Sequence, residues 1–320
     1  MIPEESSEID LFSSLGVLII AVGASRYIKQ AEVLLLSLKR HMPHLKLAVV
    51  TDSDALRHLA DVLLPVDRSF PISTAQKIII DRYSPFSETL FIDSDCVVTR
   101  SFNDELEEIR KFEFTPVLER WVYPNQSDQY VVDLRSTLRM IEGDRFAKFN
   151  GGIYYFRRSP TALRVFDVAR HYYRNSEILG ILPFDKGGPG DETVLALAMA
   201  HCGVTDLYDD GGRLMRTPLG IRGRFFIDPL GGGTRFEKYG RVVEPAICHF
   251  AGHYILGSEY LLTETSLRSK VPIEHLGLKV RLGARLISRM KRLERFYRYK
   301  VDGLKKRMRR FNSFAFKSNA

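Results

Sequence analysis

Two aspartates close an apolar run in the segment ETLFIDSDCVVTRSF, which covers residues 88–102. Asp93 and Asp95 follow a stretch with the composition of a buried strand, and ionised carboxylates leave water at a high cost unless a positive group meets them. Side chains at positions i and i+2 of an extended strand point to one face, so a slight turn lets both carboxylates reach one divalent cation. The pattern predicts a metal site, although two carboxylates that cap a helix or pair with Arg100 would explain it too.

The chain around these aspartates alternates strand and helix patterns. We expect strands at residues 16–22, 45–52 and 89–93, and helices at residues 27–43, 55–63 and 73–85. This order is typical of a mostly parallel sheet with helices on both faces. Ligands bind at the carboxyl ends of the strands in such sheets, and Asp52 falls at such an end, as Asp93 and Asp95 do. Asp52 is explained equally well as a turn or capping residue.

Two later segments place polar groups at predicted element ends. FNGGIYYFRRS, residues 149–159, predicts a strand entered through Asn150 and two glycines, where the backbone turns tightly or lets a ligand approach closely. GPGDETVLALAMAHCG, residues 188–203, predicts a Gly/Pro loop, an acidic cap at Asp191 and a helix.

A third segment, EPAICHFAGHYI at residues 244–255, predicts a short apolar strand with His249 near its end. Oxygen ligands suit both Mg²⁺ and Mn²⁺, whereas an imidazole nitrogen shifts the preference toward the latter. If His249 joins Asp93 and Asp95, the site would therefore favour Mn²⁺.

Composition bounds the compartment and the partners. The 320 residues are 45% hydrophobic, as expected of a globular chain, and three widely spaced cysteines without a CxxC pair argue against disulfides and structural zinc. The apolar run at residues 15–24 follows an acidic segment and is interpreted as a strand rather than a signal peptide. No stretch approaches the length of a membrane-spanning helix. We expect a cytoplasmic protein, either soluble or peripheral on the inner face of the membrane.

The net charge of +8 belongs to the C-terminal tail. Residues 268–320 contain 17 Lys and Arg but 3 Asp and Glu, so the tail carries +14 and the rest of the chain −6. A nucleic-acid-binding body is therefore poorly supported, whereas a tail that meets an anionic surface is well supported.

The tail also has a helical apolar period. Apolar residues recur at steps of three or four, with basic residues between them, which predicts a long basic amphipathic helix: Leu282, Leu286, Met290, Leu293, Tyr297, Val301, Leu304, Met308 and Phe311. Such a helix can lie in an anionic membrane interface, or pack on its own domain or on a partner chain.

Taken in order, these segments resemble the GT-A glycosyltransferases, and among them the family 8 type that includes glycogenin and bacterial lipopolysaccharide galactosyltransferases. The resemblance covers residues 17–252. It is carried by LFIDSDCVV as the DxD strand, Lys77 before it, FNGGIYYF, GDE and HFAG. It implies a GT-A fold, a Rossmann-like mixed α/β sheet flanked by helices. We expect a catalytic domain at residues 1–265 and the basic helical tail at residues 266–320.

The resemblance also implies roles for individual residues. Asp93, Asp95 and His249 would hold the metal against the donor's diphosphate, and Lys77 would meet the phosphate or the sugar. The nucleotide would border Ala21, Val22, Gly23, Tyr27 and Asp52, with Gly252 in the C-terminal motif. The transferred sugar would be surrounded by Asn150, Gly152, Asp191 and Glu192, of which Asp191, Glu192 and Asn150 are the candidate catalytic residues.

The implied activity is metal-dependent hexosyl transfer from a nucleotide sugar, with UDP as the expected nucleotide and retention of configuration, to a glycan or glycolipid acceptor that is membrane-borne. Departures from the family concern the phosphate contacts. The usual Lys-Pro-Trp after His-x-x-Gly is absent here, where Ile255 stands near the lysine's place, and Glu192 replaces the usual Gln.

Two rival functions remain open from the sequence. DSDCV also fits the signature of haloacid-dehalogenase-type phosphatases, in which Asp93 would be the nucleophile and Asp95 the general acid. The position of this segment after two strand-helix units argues against that interpretation, as does Leu195 where a second acid is expected. A GT-A protein that binds a nucleotide sugar without turnover is the other alternative.

Overall fold

The computed structural model describes residues 15–185 and 188–317, and of the last helix only the backbone beyond residue 297. The strands are β1 (Leu15–Ala21), β2 (Lys46–Thr51), β3 (Val62–Leu64), β4 (Glu88–Ile92), β5 (Cys96–Val98), β6 (Phe114–Val122), β7 (Phe146–Arg157), β8 (Pro183–Asp185), β9 (Gly188–Pro189), β10 (Met215–Arg216), β11 (Arg222–Asp228), β12 (Gly233–Lys238), β13 (Arg241–Val243) and β14 (Ile247–His249).

Helices alternate with the strands in the first half of the chain and dominate its end. They are α1 (Ser25–His41), α2 (Ile80–Tyr83), α3 (Asn103–Ile109), α4 (Leu134–Met140), α5 (Pro160–Arg174), α6 (Asp191–His201), α7 (Ser258–Ser269) and α8 (Leu278–Lys317). Short 3₁₀ helices cover Asp54–Leu56, Thr74–Ile79, Tyr254–Leu256 and Ile273–His275.

A six-stranded mixed sheet organises the molecule, in the order β3-β2-β1-β4-β7-β6. The first four of these strands run parallel, and β7 pairs antiparallel with both β4 and β6. The predicted fold class, a mixed α/β sheet flanked by helices, is confirmed. Smaller sheets join β10, β14 and β5, then β11, β12 and β13, then β8 and β9.

The two faces of the sheet bury separate apolar layers, as the period-two alternation of a strand requires. On β1, Val17 and Ile19 pack in the layer that includes Leu34 of α1. Leu18 points the other way, into the layer that includes Ile78 and Val165 of α5. Helices on both sides therefore cover a sheet whose central strands carry consecutive apolar residues.

Two predicted helices are wrong in part. Residues 55–63 form a 3₁₀ turn and then reach β3, because Val62–Leu64 pairs parallel with Ala48–Val50 and the Asp61 carboxylate accepts from the Leu47 amide at 2.8 Å. Residues 73–85 form the 3₁₀ helix at Thr74–Ile79 followed by the short α2. Three consecutive isoleucines there, Ile78, Ile79 and Ile80, are fully buried, which a one-sided amphipathic helix does not allow.

The C-terminal helix is present as predicted, and it packs on the body through small residues. Ala284 and Ser288 on α8 are 7% and 3% exposed, and α8 contacts α7 and the 3₁₀ helix at Tyr254–Leu256. Residue 265, where the two predicted regions meet, lies inside α7. Among the described residues, no helix is long and apolar enough to span a membrane.

Candidate active site

Two pairings bring the acidic loop and the histidine together. The loop Asp93–Asp95 leaves β4 and turns directly into β5, and β14 pairs antiparallel with β5 so that His249 lies opposite Cys96. His249 Nε2 is 2.9 Å from Asp95 Oδ1 and 3.7 Å from Asp93 Oδ2. Two carboxylates and one imidazole nitrogen thus converge on one small volume at the carboxyl end of β4.

The other nitrogen of His249 is held by Asn150. Asn150 Oδ1 lies 2.5 Å from His249 Nδ1 and also accepts a hydrogen bond from the Gly152 amide at 3.1 Å. Because the same oxygen accepts the backbone N–H, the amide oxygen faces the ring and Nδ1 carries the hydrogen. Nε2 is therefore the nitrogen that faces the carboxylates, which is the arrangement that metal-binding histidines require.

Lys77 connects the two acidic groups of the site. Its ammonium donates to Asp93 Oδ2 at 2.5 Å and to the Gly151 carbonyl at 3.0 Å, and it lies 3.6 Å from Asp191 Oδ2. Burial alone would lower the pKa of Lys77, but the charges of Asp191 and Asp93 outweigh it and raise the pKa. Lys77 is therefore a fixed cation between the carboxylate of the DxD loop and the first residue of α6.

The start of α6 contributes two acids with different environments. Asp191 Oδ2 accepts a hydrogen bond from the Tyr154 hydroxyl at 2.6 Å, and Glu192 Oε1 accepts one from the Gly151 amide at 2.8 Å. Burial, followed by the charge of Asp191, raises the pKa of Glu192 to about 7. The predicted acidic cap is displaced by one residue, because Gly190 is the N-cap and Asp191 begins the helix.

Two glycines make this packing possible. A Cβ on Gly152 would lie 2.5 Å from His249 Nδ1, and a Cβ on Gly151 would lie 2.6 Å from Asp191 Oδ2. Both distances are far below ordinary van der Waals contact. The NGG sequence of β7 therefore lets the imidazole and the Asp191 carboxylate approach the strand from its two faces.

The pKa values of the two DxD carboxylates are shifted in opposite directions. Burial raises the pKa of Asp93, with the Asp95 charge adding to it and Lys77 opposing it. Burial opposes ionisation of Asp95 as well, but the charge and hydrogen bond of His249 lower its pKa. The pKa of His249 is lowered by burial and raised by Asp95, and the increase is larger. His249 and Lys77 are thus the groups whose charges favour ionisation of the two carboxylates.

The donor set fits a divalent cation. His249 Nε2 lies 2.9 Å from Asp95 Oδ1 and 3.7 Å from Asp93 Oδ2, close to the separations expected between ligands that each lie about 2.1 Å from one ion. The sulfur of Cys96 also lies in a group with Asp95 and His249 whose donor atoms are within 4.8 Å of one another. Burial, however, raises the pKa of the Cys96 thiol far above its ordinary value, and the thiol faces the Gly152 carbonyl. We assign Cys96 to the wall of the site.

The residues expected at the nucleotide lie along the neighbouring strand ends. Ala21 ends β1, Val22 and Gly23 follow it with Gly23 at φ +84°, and Tyr27 lies in the first turn of α1. Asp52 follows β2, 3.8 Å from a guanidinium nitrogen of Arg68. In the described part of the chain, no hydrogen bond or ion pair joins these residues to the acidic cluster. Gly252, at φ +67°, lies in the turn after His249.

Sequence reasoning missed three contributors to the site: Gly151, whose amide holds Glu192, Tyr154, which holds Asp191, and Cys96 in the wall. Simple alternation along β7 would have placed Tyr154 with Asn150 and Gly152. Its hydroxyl instead lies on the side of Gly151, beside Asp191. No local signal could have indicated Cys96, because its partners at the site come from distant segments. Gly151 belongs to the glycine pair predicted at the strand entry, but its contact with Glu192 depends on packing against α6.

Comparisons with known proteins give remote similarities. No family model and no curated protein matches the sequence. Among solved structures the chain is similar to WbbM, a bifunctional glycosyltransferase (14% identity, 77% of this chain and 47% of that one, TM-score 0.46). It is also similar to the galactosyltransferase LgtC in complex with donor and acceptor sugar analogs (15%, 74% and 87%, TM-score 0.48) and to the glycosyltransferase GlyE of Streptococcus pneumoniae TIGR4 (16%, 62% and 45%, TM-score 0.39). The chain thus spans about half the length of WbbM.

Proposed function

We propose that this chain is a GT-A glycosyltransferase of the family 8 type, which moves a hexose from a nucleotide sugar to an acceptor hydroxyl and depends on a divalent cation. The observation that carries the proposal is the convergence of Asp93, Asp95 and His249, with Nε2 turned inward by Asn150. Mn²⁺ is the preferred ion because one of the three ligands is an imidazole. The expected donor nucleotide is UDP.

The cation and the basic residues would act on the leaving group. When bound, the cation offsets the negative charge that builds on the diphosphate as its bond to the sugar breaks. Lys77 supports this role by neutralising Asp93 and Asp191, so that four carboxylates can face one ligand without unbalanced repulsion. The nucleotide would lie along Ala21, Val22, Gly23, Tyr27 and Asp52, at the ends of β1 and β2.

The start of α6 would handle the sugar. Carboxylates beside the anomeric carbon stabilise an oxocarbenium-like transition state or orient the acceptor hydroxyl. Asp191 is fixed by the Tyr154 hydroxyl and Glu192 by the Gly151 amide, so both are rigid enough for this task. A pKa near 7 would let Glu192 accept or return a proton at neutral pH. Retention of configuration at the anomeric carbon is part of the proposal.

The test is metal-dependent release of nucleoside diphosphate from a panel of nucleotide sugars. The parent should turn over a UDP-sugar with Mn²⁺ and lose activity in EDTA. Asp95→Ala should reduce turnover at least 100-fold, whereas Asp144→Ala, at an exposed acid away from the site, should not change it. Binding of the nucleotide sugar without turnover, even with varied acceptors, would support the non-catalytic alternative instead.

The phosphatase alternative is not favoured. Asp93 and Asp95 follow β4, and Asp93 bonds to Lys77 while Asp95 bonds to His249. As the nucleophile Asp93 would need a free carboxylate oxygen, whereas its Oδ2 is engaged by the ammonium of Lys77 at 2.5 Å. Hydrolysis of a phosphatase substrate by the parent, in the same assay and without nucleotide-sugar turnover, would reverse this conclusion.

The tail would bring the enzyme to a glycan or glycolipid acceptor at an anionic membrane surface, on the cytoplasmic side. The apolar stripe of α8 faces solvent in the described part: Leu282, Leu286, Met290, Leu293 and Tyr297 are 52–64% exposed. The stripe side chains predicted further on, Val301, Leu304, Met308 and Phe311, lie outside the described residues. An exposed apolar stripe flanked by basic residues is the pattern of interfacial helices. In this proposal residues 1–265 form the catalytic unit and residues 266–320 the attachment.

Sedimentation with anionic vesicles tests the tail. The double change Leu286→Glu and Met290→Glu should release the protein from vesicles while its turnover of soluble acceptors is unchanged. Leu219→Glu is the matched control, because Leu219 is comparably exposed at 55% but lies outside the tail. Sedimentation of the double variant at the parental level would exclude the stripe as the membrane contact.

A further inference from the structure

The face of α8 that packs on the body carries two arginines toward the segment that follows His249. Among the side chains of α8 that the structure describes, Ala284 and Ser288 are the buried ones. Arg292 and Arg295 follow them at helical spacing on the same face and are exposed. The exposed apolar stripe begins two residues earlier, at Leu282, so it lies on the nearly opposite face. One helix therefore presents apolar residues to the outside and guanidinium groups to the body.

The segment that these arginines reach is the turn that follows His249. Phe250 donates to the Asp95 carbonyl at 3.0 Å and Ala251 donates to the His249 carbonyl at 2.9 Å, so the chain turns tightly into the 3₁₀ helix Tyr254–Leu256. His253, the residue before this helix, therefore lies one turn from the proposed metal ligand.

Two observations place the arginines against this turn. A Cβ on Gly257, the residue that ends the 3₁₀ helix, would lie 3.5 Å from a guanidinium nitrogen of Arg292. The pKa of His253 is lowered by burial and then by the charges of Arg295 and Arg292. Arg292 therefore lies against this turn by geometry, and Arg295, three residues later on the same helix face, follows it and contributes to lowering the pKa of His253.

The bound donor would bring negative charge that the basic groups of the site do not offset. The site contains four carboxylates, and its basic groups already have partners. Lys77 pairs with Asp93 and Asp191 and His249 with Asp95, while Lys148, whose charge acts on Glu192, pairs with Asp128. A nucleoside diphosphate adds at least two negative charges, of which a divalent cation bound by the DxD loop offsets part. Arginine is suited to offset the remaining negative charge, because its planar guanidinium group can donate two hydrogen bonds to one phosphate.

We propose that Arg292 and Arg295 of α8 bind the phosphates of the nucleotide sugar and stabilise the departing diphosphate. The inference rests on the proposed function and adds to it that the C-terminal helix is part of the donor site. α8 thereby has two roles on two faces, with the apolar stripe turned to the membrane and the arginines turned to the donor.

The experiment is calorimetric binding to the full chain in Mn²⁺, with UDP and uridine as the two probes. Arg292→Ala with Arg295→Ala should weaken UDP binding at least tenfold and leave uridine binding unchanged, since uridine has no phosphate. Arg292→Lys with Arg295→Lys should recover part of the affinity. The control is Lys279→Ala, which removes one positive charge from the exposed face of α8 and should change neither affinity.

The outcomes separate the two levels of the argument. If the parent binds UDP and the double alanine variant binds it equally well, the assignment of Arg292 and Arg295 is wrong while the proposed function stands. Equal weakening of UDP and uridine binding would also overturn it, because a packing defect rather than lost phosphate contact would be responsible. A parent that neither binds UDP nor turns over any nucleotide sugar would overturn the proposed function and this inference together.

Discussion

The substitution Gly152→Ala is the sharpest test of how the backbone positions His249, the proposed metal ligand. A Cβ at this position would lie 2.5 Å from His249 Nδ1, whereas ordinary van der Waals contact begins at 3.4 Å, so the ring must move by about 0.9 Å. Metal–ligand distances in protein sites lie within about 0.2 Å of their usual values, so this displacement of the ring would take His249 out of coordination distance. Asn150 cannot follow the ring, because the new Cβ would also lie 3.0 Å from its Oδ1.

We therefore expect Gly152→Ala to weaken Mn²⁺ binding by about 10- to 100-fold, the range that loss of an orienting contact typically causes. Mn²⁺ affinity can be measured without nucleotide, by electron paramagnetic resonance of the free ion or by calorimetry. Turnover should fall in parallel and recover partly at high Mn²⁺. Circular dichroism should show an intact fold, since β7 keeps its backbone pairing.

The matched control is Gly277→Ala, because nothing lies within 4 Å of a Cβ at that glycine and its φ is not positive. It should leave Mn²⁺ affinity unchanged. If Gly152→Ala binds Mn²⁺ within twofold of the parent while folded, the orientation of His249 does not control the metal and the reasoning above fails.

Three further predictions concern buried charges. Burial and the adjacent aspartate raise the pKa of Glu192 from 4.5 to about 7. Between these two pH values the folded protein keeps a proton that the unfolded chain releases, so the free energy of unfolding falls as the pH rises. Glu192→Gln should remove this pH-dependent loss. In urea unfolding with EDTA, the stability of the variant relative to the parent should therefore increase by roughly 3 kcal/mol from pH 4 to pH 8. A difference in stability that does not change with pH would contradict the explanation. Lys77→Met removes the ammonium that pairs with Asp93 and should destabilise the metal-free protein by about 3 kcal/mol in the same assay. Adding Mn²⁺ should restore part of this stability. No recovery would argue against a cation site beside Asp93. Arg170→Met should lower the free energy of unfolding by about 3–5 kcal/mol, because it leaves Asp81 buried without its partner: the ion pair is 2.8 Å long, between side chains that are 6% and 7% exposed. Adding Asp81→Leu to this variant should restore most of the lost stability in thermal or urea unfolding. A double variant as unstable as Arg170→Met alone would refute the explanation.

Much of the first half of the fold follows from local pattern. β1, α1, β2 and β4 lie within a few residues of the predicted elements, because each combines an apolar run of the right period with a clear end signal. β3 was missed since its three residues become a strand only by pairing with β2. The small sheets are also set by pairing between distant segments, as in the join of β14 to β5.

The candidate site divides in the same way. The sequence indicates Asp93, Asp95 and His249 as residue types suited to a cation, and the structure brings their side chains together. Their roles as ligands remain a prediction. The sequence does not indicate that Lys77 spans two carboxylates, because that contact depends on the register between β4, β7 and the start of α6.

The reversal of strand direction in the central sheet explains why the site forms at β4. Parallel β1, β2 and β4 deliver their carboxyl ends to one edge, and antiparallel β7 delivers the beginning of its strand to the same edge. Ile92 pairs with Ile153, so the residues after Ile92 meet the residues before Ile153, and the Asp93 amide donates to the Gly152 carbonyl at 2.9 Å. Had β7 run parallel, Asn150 and the two glycines would lie farther back along the sheet, away from the DxD loop. The antiparallel pairing of β7 with β4 therefore lets the side-chain amide of Asn150 orient His249 toward the carboxylates that follow β4.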